Sequence, residues 1–169
     1  METTKNPLSE EAKRFFFKVS EYLDTKLYYY GSIQRVDYIP EKSDIDVEIF
    51  TDNEYSTMRK LEHFLKINHK EVHKIAWIIG KTPVYGYKVK YSNPEKTINV
   101  EFCIYNSIYK KIVSEEHKRK FILPLHVSIC LYILKYMFYK MNIMSVKTYN
   151  SLKRFFLNPT PVYFSVLKN

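Results

Sequence analysis

From Asp44 to Phe50 the chain reads Asp-Ile-Asp-Val-Glu-Ile-Phe, an unbroken alternation of acid and apolar side chain. An extended strand sorts such a series, because successive residues point to opposite faces of a sheet. Ile45, Val47 and Ile49 are expected in a core, with Asp44, Asp46 and Glu48 together on the other face. At a rise of about 3.3 Å per residue, Asp44 and Asp46 project from points roughly 6.6 Å apart. Carboxylates so placed repel each other unless a cation lies between them. Hard divalent ions, which take oxygen ligands, suit the arrangement.

The residues around this strand extend the pattern. Tyr28–Tyr30 reads as a short strand that ends in Gly31-Ser32. Gly31 can adopt the backbone angles of a tight turn, and Ser32 can donate its N–H and hydroxyl, although Gly-Ser by itself reads as an ordinary turn. A polar loop broken by Pro40 then leads to the acidic strand. Asn6-Pro7 predicts the start of a first helix, with Phe15, Phe16, Val19, Tyr22 and Leu23 at helical spacing. Asp52-Asn53 predicts the cap of a second helix from about Glu54 to Ile67, with Tyr55, Met58, Leu61, Phe64 and Leu65 as its buried stripe. Val72–Ile79 reads as an interior strand and Gly80–Gly86 as a loop. Tyr87–Tyr91 and Thr97–Tyr105 read as a hairpin around Ser92-Asn93-Pro94-Glu95. On its second strand Glu101 shares a face with Asn99 and Cys103, between core-facing Val100 and Phe102.

After Asn106 the pattern turns helical, with expected helices over Ser107–Lys120, Pro124–Met141 and Ser145–Leu157. Pro159 and Pro161 end regular structure before an aromatic tail that is expected to pack back on the domain. The fold class expected is α+β: a mixed sheet core over residues 1–105, flanked by helices, and a C-terminal helical segment over 106–169.

A Gly-Ser turn followed after Ile33–Ser43 by Asp44-Ile45-Asp46 resembles the signature of the DNA polymerase β-like nucleotidyltransferases. The resemblance covers about the first 105 residues. It implies that Gly31 and Ser32 bind the triphosphate of a nucleotide, and that Asp44 and Asp46 hold two Mg²⁺ (or Mn²⁺) ions. A third carboxylate is implied on a neighbouring strand, and Glu101 is the candidate, although the family usually has aspartate there. Glu48 competes for that role but lies farther along the aspartates' own strand, at the expected edge of the site or in solvent. Arg35 corresponds to a basic residue that the polymerase branch carries three positions after the serine; pairing with a loop acid such as Glu41 is its alternative. Lys135, alone among apolar neighbours, either reaches the triphosphate, as a lysine does in poly(A)-polymerase-like members, or snorkels to the surface. The implied activity is two-metal transfer of a nucleoside monophosphate from a nucleoside triphosphate to an acceptor hydroxyl, expected on nucleic acid. Modification of a protein and a non-catalytic interaction module are the alternatives. No helix-hairpin-helix signature is evident.

Lysine and arginine outnumber aspartate and glutamate 27 to 18, a net +9 that favours polyanionic partners. Lys110, Lys111, Lys118, Arg119 and Lys120 either line an acceptor groove or form a solvated helix face. Met1–Glu10 lacks an apolar signal core, and Phe121–Tyr139 contains Pro124, His126 and Lys135, which make a membrane span costly. An intracellular chain with no membrane partner is expected. Cys103 and Cys130 form no C-x-x-C pair and read as free thiols. His69 and His73 straddle a helix end without a partnering acid motif and are not expected to bind metal. Oligomeric state is left open.

Overall fold

The computed structural model describes residues 2–40, 42–157 and, for their backbone, 164–167. Helix α1 spans Glu10–Leu23, not the earlier start that Asn6-Pro7 suggested, because Ser9 caps it by accepting from Ala12 N–H. Asn6 instead donates through Nδ2 to the carbonyls of Ile33 and Arg35, at 2.9 and 2.7 Å, and so braces the segment after Gly31-Ser32. Strand β1 is Leu27–Tyr30, and a 3-10 turn over Gly31–Gln34 follows it directly. The acidic alternation forms β2, Ile45–Thr51, with Ile45, Val47 and Ile49 buried as its period requires.

Helix α2, Glu54–Leu65, is capped by Asn53 and buries Met58, Leu61 and Leu65. Tyr55, expected in that stripe, is exposed. Strand β3, Val72–Ile79, turns tightly at Gly80 into β4, Thr82–Ser92. The expected loop over Gly80–Gly86 is therefore mostly strand. Gly86 sits there because a Cβ would meet the Ile104 carbonyl oxygen and the Tyr105 ring within 3 Å. Strand β5 is Asn99–Asn106.

After it come α3 (Lys110–Arg119), α4 (Leu125–Tyr139) and α5 (Val146–Leu157). Ser145 caps α5 by accepting from Thr148 N–H. Strand β6, Phe164–Leu167, returns to pair with β3, so the part after Asn106 is not wholly helical. Pro159 and Pro161 lie outside the described residues.

The strands form one mixed sheet in the order β1-β2-β5-β4-β3-β6, with β2 parallel to β5 and the other pairs antiparallel. Helices α1 and α2 close one face, where Phe16, Val19, Met58 and Leu61 pack with Val47, Ile49 and Phe102. Val113 of α3 packs on the opposite face with Trp77, Cys103 and Tyr105. Helices α4 and α5 share a smaller cluster of Leu131, Leu134 and Tyr149. The result is an α+β architecture whose acidic face of β2 lies on the side of α3. Cys103 and Cys130 are free thiols, and no helix of the described residues is long and apolar enough to cross a membrane.

Candidate active site

Parallel pairing of β2 with β5 sets Asp46 directly opposite Glu101, on the same face of the sheet. The two acids expected from separate stretches of chain thus meet side by side, with Asp44 at the entrance to β2. Gly31 completes the arrangement. Its φ is +71°, and a Cβ there would fall on the carboxylate of Asp46. Only glycine permits both the left-handed turn and so close an approach. Ser32 follows, buried at the head of the turn, and Gln34 fixes the turn from beneath by donating to the Thr3 and Tyr29 carbonyls.

The acids line a cleft of about 420 Å³ together with Gly31, Ser32 and His117. Arg35, Lys88, Lys90, Lys120, Lys153 and Arg154 also line it, so six basic side chains surround three carboxylates. The lysines of β4 and the group Asn150, Lys153 and Arg154 on α5 were not singled out from sequence. The signal for the second group was its i, i+3, i+4 spacing, which shows that the residues share a helix face but not what that face meets. Lys110, Lys111 and Lys118 line a separate groove beside Tyr28, where Lys110 Nζ donates to the Tyr28 hydroxyl at 2.7 Å. Of the basic run on α3 and at its C-cap, only Lys120, the cap residue, lines the cleft of the carboxylates.

Burial dominates the electrostatics at Asp46. Its pKa is pushed up to about 6, first by burial and then by Glu101, with Asp44 adding to the effect and Lys153 opposing it. Neither Asp44 nor Asp46 forms an ion pair among the described residues. Their hard oxygen donors at an open cleft fit a divalent cation. Glu101 differs, because Lys88 and Lys90 already hold it at 2.6 and 3.4 Å. Among the described residues no group of three or more His, Cys, Asp or Glu side chains is arranged to hold a metal ion.

Three expected residues take other partners. Glu48 is not solvated but 2% exposed, and it pairs with His117 Nδ1. The imidazole stacks on Tyr30, ring centroids 4.2 Å apart, and on Trp77 at 5.4 Å. Arg35 lines the cleft but is engaged by Asp37, with Nε and Nη2 donating to its two oxygens at 2.7 and 3.0 Å. Glu41, the alternative partner, lies outside the described residues. Lys135 does not snorkel. At 2% exposure its Nζ reaches Asp37 Oδ2 at 3.1 Å, the Asp37 carbonyl at 2.8 Å and Ser43 Oγ at 3.2 Å. Burial lowers the Lys135 pKa to about 8 even though Asp37 opposes that shift. His69 Nδ1 pairs with Glu62.

Turn, paired acids and basic rim thus share one cleft. The sequence profile of the nucleotidyltransferase domain matches residues 10–149, and the chain belongs to that family. No curated protein matches it in sequence. Similar solved structures include Cid1, described as having RNA terminal uridylyl transferase activity, at 14% identity and a TM-score of 0.43, covering 80% of this chain and 43% of that one. The polymerase core of TRAMP, an RNA surveillance complex, is similar at 16% identity and TM-score 0.40, over 84% of this chain and 46% of that one. The GLD-2/RNP-8 complex is similar at 13% and 0.43, over 85% and 54%. The chain therefore spans about half the length of these structures.

Proposed function

We propose that the chain transfers a nucleoside monophosphate from a nucleoside triphosphate to an acceptor hydroxyl on nucleic acid. The observation that carries this reading is Asp46 packed between Gly31 of the turn and Glu101 of the adjacent strand. In-line displacement at an α-phosphorus needs a phosphate-holding turn and paired carboxylates in one cleft. A bound Mg²⁺ or Mn²⁺ ion, held by Asp44 and Asp46, would supply neutralisation of charge on the phosphates.

The chain's own groups divide the remaining work. Ser32 offers its N–H and hydroxyl to phosphate oxygens, as a buried turn residue whose orientation is already fixed. Lys120, Lys153 and Arg154 face the charge that develops on the leaving pyrophosphate. Arg35, tied to Asp37, adds positive potential at the turn, and Lys135 acts from behind by anchoring the loop. The acceptor oxygen attacks the α-phosphorus and its proton passes to a carboxylate oxygen of the Asp46–Glu101 pair. The bond from the α-phosphorus to the bridging oxygen breaks, and pyrophosphate leaves. Positioning and charge neutralisation supply most of the acceleration, so no covalent enzyme intermediate is needed.

A nucleic-acid acceptor is supported by the net charge of +9 and by the lysines of α3 that line the separate groove beside Tyr28. The test is incubation with Mg²⁺ or Mn²⁺ and each labelled nucleoside or deoxynucleoside triphosphate, with an oligonucleotide or with the protein alone. Extension of the oligonucleotide is expected. Label on protein instead would make the chain a protein-modifying enzyme. An absence of any transfer, together with no metal binding, would leave a non-catalytic module.

A further inference from the structure

The third carboxylate of the site, Glu101, is paired with two ammonium groups. Antiparallel pairing of β4 with β5 sets Lys90 opposite Glu101 and Lys88 opposite Cys103, so both lysines lie on the carboxylate face. Lys88 Nζ lies 2.6 Å from Glu101 Oε1, and Lys90 Nζ lies 3.4 Å from Oε2. The two contacts are not equivalent. The Lys90 side chain is 67% exposed and its pairing is screened by water. Lys88 is largely enclosed, and so is Glu101. Asp46, the register partner of Glu101 on β2, lies on the same face. A cation is thus fixed on the inner side of the site, close enough for its charge to act on Asp46 as well as Glu101.

A second divalent ion bound through Glu101 would have to displace this ammonium or stand beside it. Displacement strands a buried positive charge, and coexistence sets three positive charges around one carboxylate. Asp44 and Asp46 form no ion pair with an ammonium or guanidinium among the described residues, so a divalent ion on them displaces none.

We propose that Lys88 is a built-in counter-charge standing in for one cation of the usual pair, so that the chain binds a single divalent ion, on Asp44 and Asp46. The inference rests on the nucleotidyl-transfer reading and specifies its metal requirement. Lys88 is a positioning residue in this scheme: its ammonium holds the Glu101 carboxylate in place.

Electron paramagnetic resonance of bound Mn²⁺, in the presence of a non-hydrolysable nucleoside triphosphate analogue, tests the count without relying on turnover. The wild-type chain is expected to bind one Mn²⁺ with the spectrum of an isolated ion. Lys88→Met, which opens Glu101, is expected to bind two with the spectrum of a coupled pair. Lys88→Arg keeps the charge and is expected to remain at one, which guards against a folding defect in the first variant. A coupled pair in the wild type, or an isolated ion in Lys88→Met, overturns the role of Lys88 and leaves nucleotidyl transfer standing. No bound Mn²⁺ in the wild type overturns both.

Discussion

Two charged clusters sit within a few residues of each other, and they are built to opposite ends. Arg35, Asp37 and Lys135 form a closed knot of two cations around one acid, with Asp37 fully buried. Burial would raise the Asp37 pKa, yet Arg35 and Lys135 outweigh it and hold the carboxyl below its ordinary range. Asp44 and Asp46, beside a Glu101 already paired with Lys88 and Lys90, form the open cluster, in which burial and neighbouring acids push Asp46 up to about 6. The same residue types therefore serve two purposes. A cluster whose charges cancel can be sealed in and used to hold a loop. One whose charges repel costs stability and persists where an external cation relieves it.

Asp46→Asn separates the two cases most sharply. Nucleotide incorporation is expected to fall by at least about 10³-fold. Thermal stability should stay level or rise slightly, because a source of repulsion is gone. Incorporation assays alongside a melting curve check both halves, and undiminished activity would sink the metal-dependent mechanism. The closed cluster should answer in the opposite sense. Lys135→Met leaves Asp37 with Arg35 alone and removes the bonds to the Asp37 carbonyl and Ser43, at an expected cost of about 2–3 kcal/mol near pH 7. The same residue has a pH signature. Its folded pKa, about 8, lies below that of an unfolded lysine, so between pH 8 and 10.5 the unfolded chain binds more protons. Burial of the charged form opposes folding below that window and is relieved as pH rises through it. The wild type should therefore gain roughly 1–3 kcal/mol over Lys135→Met across this range, measured by urea titration at each pH.

The open cluster was more legible in the sequence than the closed one. Period-2 alternation shows that Asp44 and Asp46 share a face, and the hairpin reading puts Glu101 between two core residues. Its position beside Asp46 depends on the parallel pairing of β2 with β5, which no local pattern encodes. Lys90 opposite Glu101 was accessible in principle, since the hairpin turn sets that register. The closed knot joins residues 98 positions apart, and its only local trace is a lone lysine in an apolar helix. Gly80 and Gly86 suggested a loop because glycine usually punctuates, whereas Gly86 lies within a strand where a neighbouring ring and carbonyl crowd it. Asn6-Pro7 carried a helix-start signal, but the Asn6 amide serves the Gly-Ser turn.

Gly31 links turn and open cluster, so its substitution should harm activity more than stability. Gly31→Ala introduces a methyl group at positive φ and against the Asp46 carboxylate. A loss of about 1–2 kcal/mol in stability is expected from the backbone alone. Because the displaced group is Asp46, activity should fall by about 100-fold, more than the roughly 5-fold to 30-fold to which that figure converts. Equal losses in both would make the glycine a fold element only.

The smallest effect is expected where the two kinds of cluster grade into each other. Glu48 is on the same strand face as Asp46 but is sealed against His117, which itself reaches the cleft. With Tyr30 and Trp77 stacked on the imidazole, the pair ties α3 to the sheet. Glu48→Gln keeps the shape and a hydrogen bond to Nδ1 while removing the charge. If the pair belongs with the closed knot, stability should fall by about 1 kcal/mol and incorporation should change less than about threefold. Urea denaturation and initial rates separate the outcomes. A large loss of rate with little loss of stability would instead move His117 and its partner into the open cluster, because only a group touching the reacting phosphates responds in that way.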